Sequence, residues 1–323
     1  MNILVTGSAG FIGFHVSKRL INNGHNVIGV DNINNYYDTN LKKDRIKELN
    51  KFKLFHFLKV DITNFIKLKS IFKKNKIDVV INLAAEVGVR NSIESPEKHI
   101  SANVVGFGNI LELSKIYKIN RVIYASSSSV YGANKKIPYS IKDTTDAPVS
   151  IYAATKKTNE LMAHTYSYLY GLKTIGLRFF TVYGPWGRPD MAVFKFTNAL
   201  FNKEEIQLYN KGLNFRDYTY IDDIVDGIIR SIRKGGFNKK LPFKIFNLGN
   251  SKAVSTINLL KMIEKETRIK GKIKLSKKAP GDVLKTMANI DYELKDLGYK
   301  PKTKLAHGIK KFIVWYKNFY SIK

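Results

Sequence analysis

Cysteine is absent from all 323 residues. Its absence excludes disulfides, thiolate nucleophiles and cysteine-ligated metal sites, and no other metal site is read. Long apolar runs are missing as well: nothing approaches the ~18 consecutive apolar residues of a membrane span. The opening Met1-Asn2-Ile3-Leu4-Val5-Thr6-Gly7 shows no charged leader, long apolar stretch or small-residue cleavage site. A cytoplasmic location with no membrane partner is therefore expected. Acidic residues are scarce, 26 against 55 Lys and Arg, and the formal net charge is +29. Such an excess suits nucleic acid when it gathers into a stripe or a reading motif. Here the lysines are scattered, often as doublets such as Lys42-Lys43, Lys73-Lys74 and Lys239-Lys240. The expectation is a lysine-decorated surface and no nucleic-acid partner. A positive field would still help to collect a polyanionic small molecule.

What is present is an alternation. Residues 3–6, 26–30, 53–60, 79–83, 121–125 and 174–177 read as strands. Their Val, Ile and Leu content, without clean polar alternation, suits strands buried on both faces. Residues 14–23, 96–117 and 152–170 read as helices between them. Strand–helix alternation predicts an α/β fold with a parallel sheet and right-handed crossovers. The turn-rich Gly184-Pro185-Trp186-Gly187-Arg188-Pro189 ends this regime. A helix over 192–201, a strand over 244–248 returning to the main sheet, and surface helices over 256–269 and 304–316 are predicted beyond it.

Gly7-Ser8-Ala9-Gly10-Phe11-Ile12-Gly13 follows the first strand and opens the first helix. Gly7, Gly10 and Gly13 permit a tight turn and close backbone approach. The helix N-terminus offers unpaired N–H groups to a pyrophosphate. The spacing is one residue longer than the G-x-G-x-x-G of most dinucleotide folds, and a purely structural turn is the alternative. Asp31 ends the second strand, where a carboxylate can accept from adenosine ribose hydroxyls and repel a 2′-phosphate. That favours NAD over NADP, although a plain turn aspartate would look the same. Asp61, after the third strand, could accept from an adenine amino group. Leu83, Ala84 and Ala85, after the fourth, are small enough for a nicotinamide-side ribose to pass; ordinary strand ends are the alternative for both. The expected architecture is a Rossmann-type doubly wound parallel sheet with a smaller α/β substrate-binding lobe. The dinucleotide-binding domain is placed at 1–181 with 218–250, and the lobe, interleaved with it, at 182–217 with 251–323.

Tyr152 and Lys156 stand four apart on a predicted helix and share one face. A tyrosine near pKa ~10 is a poor base at neutral pH. A neighbouring ammonium, with a positive nicotinamide ring, would favour phenolate. Such a tyrosine can take a proton from an alcohol while the same carbon is oxidised. Ser127, in Ser126-Ser127-Ser128-Ser129 at the end of the fifth strand, would orient the alcohol. Tyr-x-x-x-Lys alone is commonly a surface pair; the glycine turn and the serines give it chemistry.

Together these segments resemble the extended short-chain dehydrogenase/reductase superfamily, its NAD-dependent epimerase/dehydratase branch in particular. More narrowly, Tyr152-Ala153-Ala154-Thr155-Lys156-Lys157, Asn159-Glu160-Leu161-Met162-Ala163-His164 and Arg178-Phe179-Phe180-Thr181-Val182-Tyr183-Gly184-Pro185-Trp186-Gly187-Arg188-Pro189-Asp190-Met191-Ala192 resemble the UDP-glucuronate 4-epimerases. The resemblance covers essentially the whole chain. It implies that Tyr152 deprotonates O4 of a UDP-sugar, that C4 is oxidised by tightly held NAD, and that the 4-keto sugar turns over before re-reduction. The net reaction would interconvert UDP-glucuronate and UDP-galacturonate, supplying surface polysaccharide; another UDP-sugar, such as an N-acetylhexosamine, its uronate or glucose/galactose, is the alternative.

The same resemblance extends the cofactor set to Phe11, Ile12, Asn32, Lys43, Ile62 and Asn103. For Asn103 the alternative is a polar helix residue bonded to backbone. It places Val87, Arg90, Ser128, Arg216 and Asp282 on the UDP-sugar. Arg188 and Thr181 are the candidates for gripping a uronate carboxylate, since an arginine fork suits a carboxylate; a diphosphate contact or a loop ion pair is the alternative for Arg188. Dehydratase and decarboxylase branches usually carry an acid within two positions of the catalytic Ser/Thr, where Ser128 and Ser129 stand. That argues for epimerisation alone. Glu86 departs from the usual glutamine and should repel a uronate unless Arg90 neutralises it. Ala279 replaces an arginine that galactose-type epimerases carry before Pro-Gly-Asp. A homodimer through helices near 96–117 and 152–170 is also implied.

Overall fold

The computed structural model describes residues 1–234, 237, 240–277 and 281–322. Ala279 and Lys239 lie outside the described residues. In chain order the strands are β1 (Asn2–Thr6), β2 (Asn26–Asp31), β3 (Phe55–Lys59), β4 (Val79–Asn82), β5 (Arg121–Ser127) and β6 (Thr174–Phe179). They continue with β7 (Thr181–Tyr183), β8 (Glu205–Tyr209), β9 (Phe215–Tyr220), β10 (Phe243–Leu248), β11 (Ala253–Ser255) and β12 (Lys272–Ser276). Seven of these form one sheet in the order β10-β6-β5-β4-β1-β2-β3, every pair parallel. Residues of β4 and β6 are buried throughout, as strands covered by helices on both faces must be. Strand order reverses between β1 and β4, so a crevice opens at their C-terminal ends.

Two small sheets lie beside the large one: β11-β9-β7 and the parallel pair β12-β8. None of these five strands is legible from apolar runs. β7 and β11 have three residues each, too few to show a period. β12 is mostly exposed, so its apolar content carries no burial pattern.

The predicted helix over 96–117 is broken in three. Pro96–Ile100 is α-helical, Ser101–Gly106 is a π-helical stretch, and Phe107–Ile116 resumes the α-helix. A widened turn of this kind re-aims side chains and recurs at functional sites. It brings Gly106 so close to Ile62 that a Cβ there would lie 2.6 Å from Ile62 Cγ1.

The helix Ile151–Tyr170 begins with the Ser150 hydroxyl accepting from Ala153 N at 3.1 Å and ends on Gly171 at φ 65°. Successive turns fasten it to the sheet. Lys156 Nζ donates to Ala125 O at 2.9 Å, and Ser126 Oγ donates to Glu160 Oε1 at 2.6 Å. Arg178, opposite Ser126 in the β5–β6 register, donates to both Glu160 oxygens at 2.8 Å. The pair is buried and planar, the geometry in which an ion pair withstands desolvation. Glu160→Ala strands the Arg178 charge and should lower unfolding free energy by about 3–5 kcal/mol in urea titrations. A loss below about 1 kcal/mol would remove this pair as the fastening.

Candidate active site

The first turn of the helix Phe11–Asn22 carries no side-chain cap at Gly10 and no acidic residue, which leaves its N–H groups open to an anion. Close packing dictates the glycines in front of it. Gly7 sits at φ 70°, and a Cβ on it would lie 2.7 Å from Ala84 N. A Cβ on Gly13 would lie 2.0 Å from Gly7 O. Asp31 is buried at the end of β2, with its carboxylate accepting from Ala9 N at 3.1 Å and Ile33 N at 2.8 Å. Burial pushes its pKa up, opposed by those bonds and by Lys42 and Arg45. The turn, Asp31, Phe11 and Ile12 line a cavity of about 380 Å³ that runs on to Tyr152.

Asn32, Asp61 and Ile62 line the far end of this cavity, and Leu83, Ala84 and Ala85 its floor. Asn32 Nδ2 donates to Asp61 Oδ2 at 2.7 Å, while the other oxygen takes Thr63 N and Thr63 Oγ1. Lys43 is a correction: its side chain is exposed, and the preceding Lys42 is the buried lysine that lines the cavity. Helical geometry turns adjacent residues by about 100°, so a lysine doublet conceals which member faces inward. Lys42 Nζ donates to Asn34 O at 2.8 Å and to the Asn34 side-chain oxygen. Asn34 Nδ2 in turn donates to Glu86 Oε1 at 2.6 Å. Asn34 thus bonds Glu86 with Lys42 behind it, while Arg90 pairs with Asp282, so the condition under which Glu86 would not repel a uronate is not met through Arg90.

Asn103 is a second correction. Its amide receives Glu86 N at 2.9 Å and donates to Glu86 O and Thr155 Oγ1, each at 3.0 Å. It pins the loop after β4 to the helix Ile151–Tyr170 and lies outside the cavity lining, as the polar-helix alternative has it.

Tyr152, Lys156 and Ser127 all line this cavity. Burial drives the Tyr152 phenol above its ordinary value, opposed by a hydrogen bond with Ser127 and by the Arg188 charge. Lys156 is not among those opposing groups. Burial lowers its own pKa to about 7, and its Nζ is bonded to Ala125 O. Within the protein alone, the groups that favour the Tyr152 phenolate are therefore Ser127 and Arg188. Arg188 holds Asp190 through Nε, at 3.0 Å, and Nη2. Asp190 also accepts from Tyr36 OH at 3.2 Å. Burial would raise the Asp190 carboxyl, but Arg188 keeps it below the carboxylate range. One edge of the arginine fork is spent within the protein.

A second, smaller cavity of about 140 Å³ adjoins the first. Ser128, Ser129, Thr181 and Val89 line both. Arg216 and Asp282 line its outer end. Asp282 stands between Arg216 at 3.7 Å and Arg90 at 3.5 Å, and Arg90 lies 4.0 Å from the Tyr209 ring centre. Val87 lines the larger cavity. Sequence reasoning missed Asn34, Tyr36, Lys42 and Asp190; of these, only Tyr36-Tyr37 in a polar stretch was conspicuous as a sequence feature. Among the described residues, no cluster of three His, Asp or Glu side chains could hold a metal, and no helix is long and apolar enough to cross a membrane.

The family model for the NAD dependent epimerase/dehydratase family matches residues 3–249. UDP-glucuronate 4-epimerase 4 of Arabidopsis thaliana is 45% identical, over 99% of this chain and 76% of its own. The crystal structure of UDP-glucuronic acid 4-epimerase from Bacillus cereus, in complex with UDP-glucuronic acid and NAD, superposes with a TM-score of 0.90. It is 31% identical, covering 99% of this chain and 100% of that one. UDP-glucose 4-epimerase of Thermotoga maritima with UDP-glucose has a TM-score of 0.89 and 30% identity, covering 99% and 100%.

The Lys156 shift has a thermodynamic consequence. The unfolded chain holds this proton up to the ordinary 10.5, the folded chain only to about 7. Unfolding therefore takes up a proton between those values, and stability rises with pH across that window. Lys156→Met should flatten the rise by about 1.4 kcal/mol per pH unit. Parallel denaturation profiles for the two proteins between pH 7.5 and 9.5, chosen as roughly mid-window, would refute the depressed pKa.

Proposed function

We propose that this chain, which belongs to the NAD dependent epimerase/dehydratase family, is a UDP-glucuronate 4-epimerase. NAD is its cofactor, and the residues present fit it. The uncapped helix turn suits a pyrophosphate, the Gly7–Gly13 cradle admits no Cβ, and Asp31 stands at the ribose end. The chemistry supplied by bound NAD⁺ is the two-electron oxidation of sugar C4 and its reversal. Tyr152 takes the O4 proton and later returns it, while Ser127, bonded to the phenol, holds the sugar oxygen in line. Lys156, fixed on Ala125 O, keeps a cationic donor beside the site when protonated. Arg216 and Arg90 receive the diphosphate, exchanging it for Asp282.

The observation that carries the uronate reading is Arg188, whose charge reaches Tyr152 across the larger cavity. A 4-keto uronate is a β-keto acid, prone to lose CO₂. Holding its carboxylate out of the decarboxylating geometry requires a fixed cation and hydroxyls. Arg188, Thr181 and Ser128 supply them. Because Asp190 holds the Nε edge, the substrate carboxylate takes the end-on edge of the guanidinium. Ser128 and Ser129 bring no acid, so nothing in that stretch promotes elimination. The proposed division is a cofactor domain (1–181 with 218–250) and a sugar-nucleotide lobe (182–217 with 251–323), supported by the return of β10 to the large sheet. Exposed Ile100, Val105, Leu161 and Leu169, on helices expected to pair, support a homodimer. Leu161→Glu should yield monomers in sedimentation, and an unchanged mass would refute that face.

Purified protein should convert UDP-glucuronate to UDP-galacturonate without added NAD, and faster than it converts UDP-glucose or UDP-N-acetylglucosamine. No conversion of UDP-glucuronate even with NAD restored, or preference for a neutral sugar, would overturn the reading. Arg188→Ala should raise KM about tenfold or more, the value of one charged hydrogen bond, or release a pentose product. Wild-type kinetics with no pentose would strip Arg188 of this role.

A further inference from the structure

Arg45 is the least expected side chain in the interior. It is fully buried, yet no carboxylate bonds it. Buried arginines are rare unless paired, so a guanidinium held by neutral acceptors alone needs a reason. Those acceptors come from three separate places. Nη1 donates to Ala9 O, inside the glycine turn, at 2.8 Å and to Tyr37 OH at 2.6 Å. Nη2 donates to Trp186 O at 2.6 Å and to Gly187 O at 3.2 Å. The next residue is Arg188. Trp186 itself sits at φ 60°, a left-handed conformation that a bulky side chain adopts only when its surroundings impose it. Two carbonyls gathered by one cation are such an imposition.

We propose that Arg45 is a positioning residue that couples the cofactor turn to the sugar-facing loop 184–190. One planar fork grips the turn that receives the pyrophosphate and the strained backbone that aims Arg188. Any shift of Ala9 when the turn fills is transmitted to Trp186 and Gly187 through a group with no other freedom. Arg188 is thereby placed after NAD is bound, and a sugar meets an organised loop. The coupling is reciprocal: ligand at one end tightens the other. This inference takes from the proposed function only NAD as the ligand, so it stands or falls without reference to which sugar reacts.

The test uses protein labelled with 5-fluorotryptophan, which gives one ¹⁹F resonance each for Trp186 and Trp315, assigned with Trp315→Phe. NAD is added to protein stripped of nucleotide, and binding is followed separately by calorimetry. In the wild type the Trp186 resonance shifts with NAD saturation. In Arg45→Lys, which keeps the charge and loses the fork, the shift should vanish at saturating NAD and Kd should rise about tenfold. A full Trp186 shift at saturation with wild-type Kd overturns the proposal. Should Arg45→Lys fail to fold by circular dichroism, the wild-type titration decides alone: a Trp186 resonance that moves as NAD saturates supports the coupling, and one that stays in place overturns it.

Discussion

Everything at this site is referred to one fastening, the buried Glu160–Arg178 pair with Ser126 attached. It sets the helix that carries Tyr152 against the strand that ends in Ser127. Ser127 ends β5 and Tyr152 opens the next long helix, with the segment 128–150 between them. Their relative position is set by contacts one and two turns along the helix, where Lys156 holds Ala125 O and Glu160 holds Ser126. Because Arg178 belongs to the neighbouring strand, β5 and β6 move with the helix as a unit. A neutral contact would allow sliding; a bidentate ion pair has one geometry.

The large sheet was legible because its strands are apolar on both faces and its glycine turn has a fixed place after the first. The candidate residues Tyr152, Lys156 and Ser127 were legible for the same reason: each sits on a regular element, and all three line one cavity. The errors cluster where regularity fails. The lysine doublet at 42 and 43 hid its inward member behind helical rotation. The π-helical stretch at Ser101–Gly106 carries no composition that distinguishes it from an α-helix, so Asn103 could not be aimed from sequence. Asp190 meets Tyr36 and Asn34 meets Glu86 across distant segments, and no spacing rule predicts such pairings. The lowered pKa of Lys156 is likewise a property of burial and could not be read from the motif.

The site is also internally neutralised to a degree that its composition conceals. Arg188 has Asp190, Arg90 and Arg216 have Asp282, and Glu86 has Asn34 with Lys42 behind it. These partners hold the cationic groups in ion pairs within the protein. They also mean that a ligand displaces or shares a counter-charge and does not simply fill an empty positive hole.

That arrangement separates capture from holding. The scattered surface lysines act at long range and are damped by dissolved salt within about 10 Å. The Arg–Asp pairs act at contact distance. Under the proposed function, Asp282, which reads as an obstacle to an anionic ligand, is the group that holds two guanidinium groups at one place.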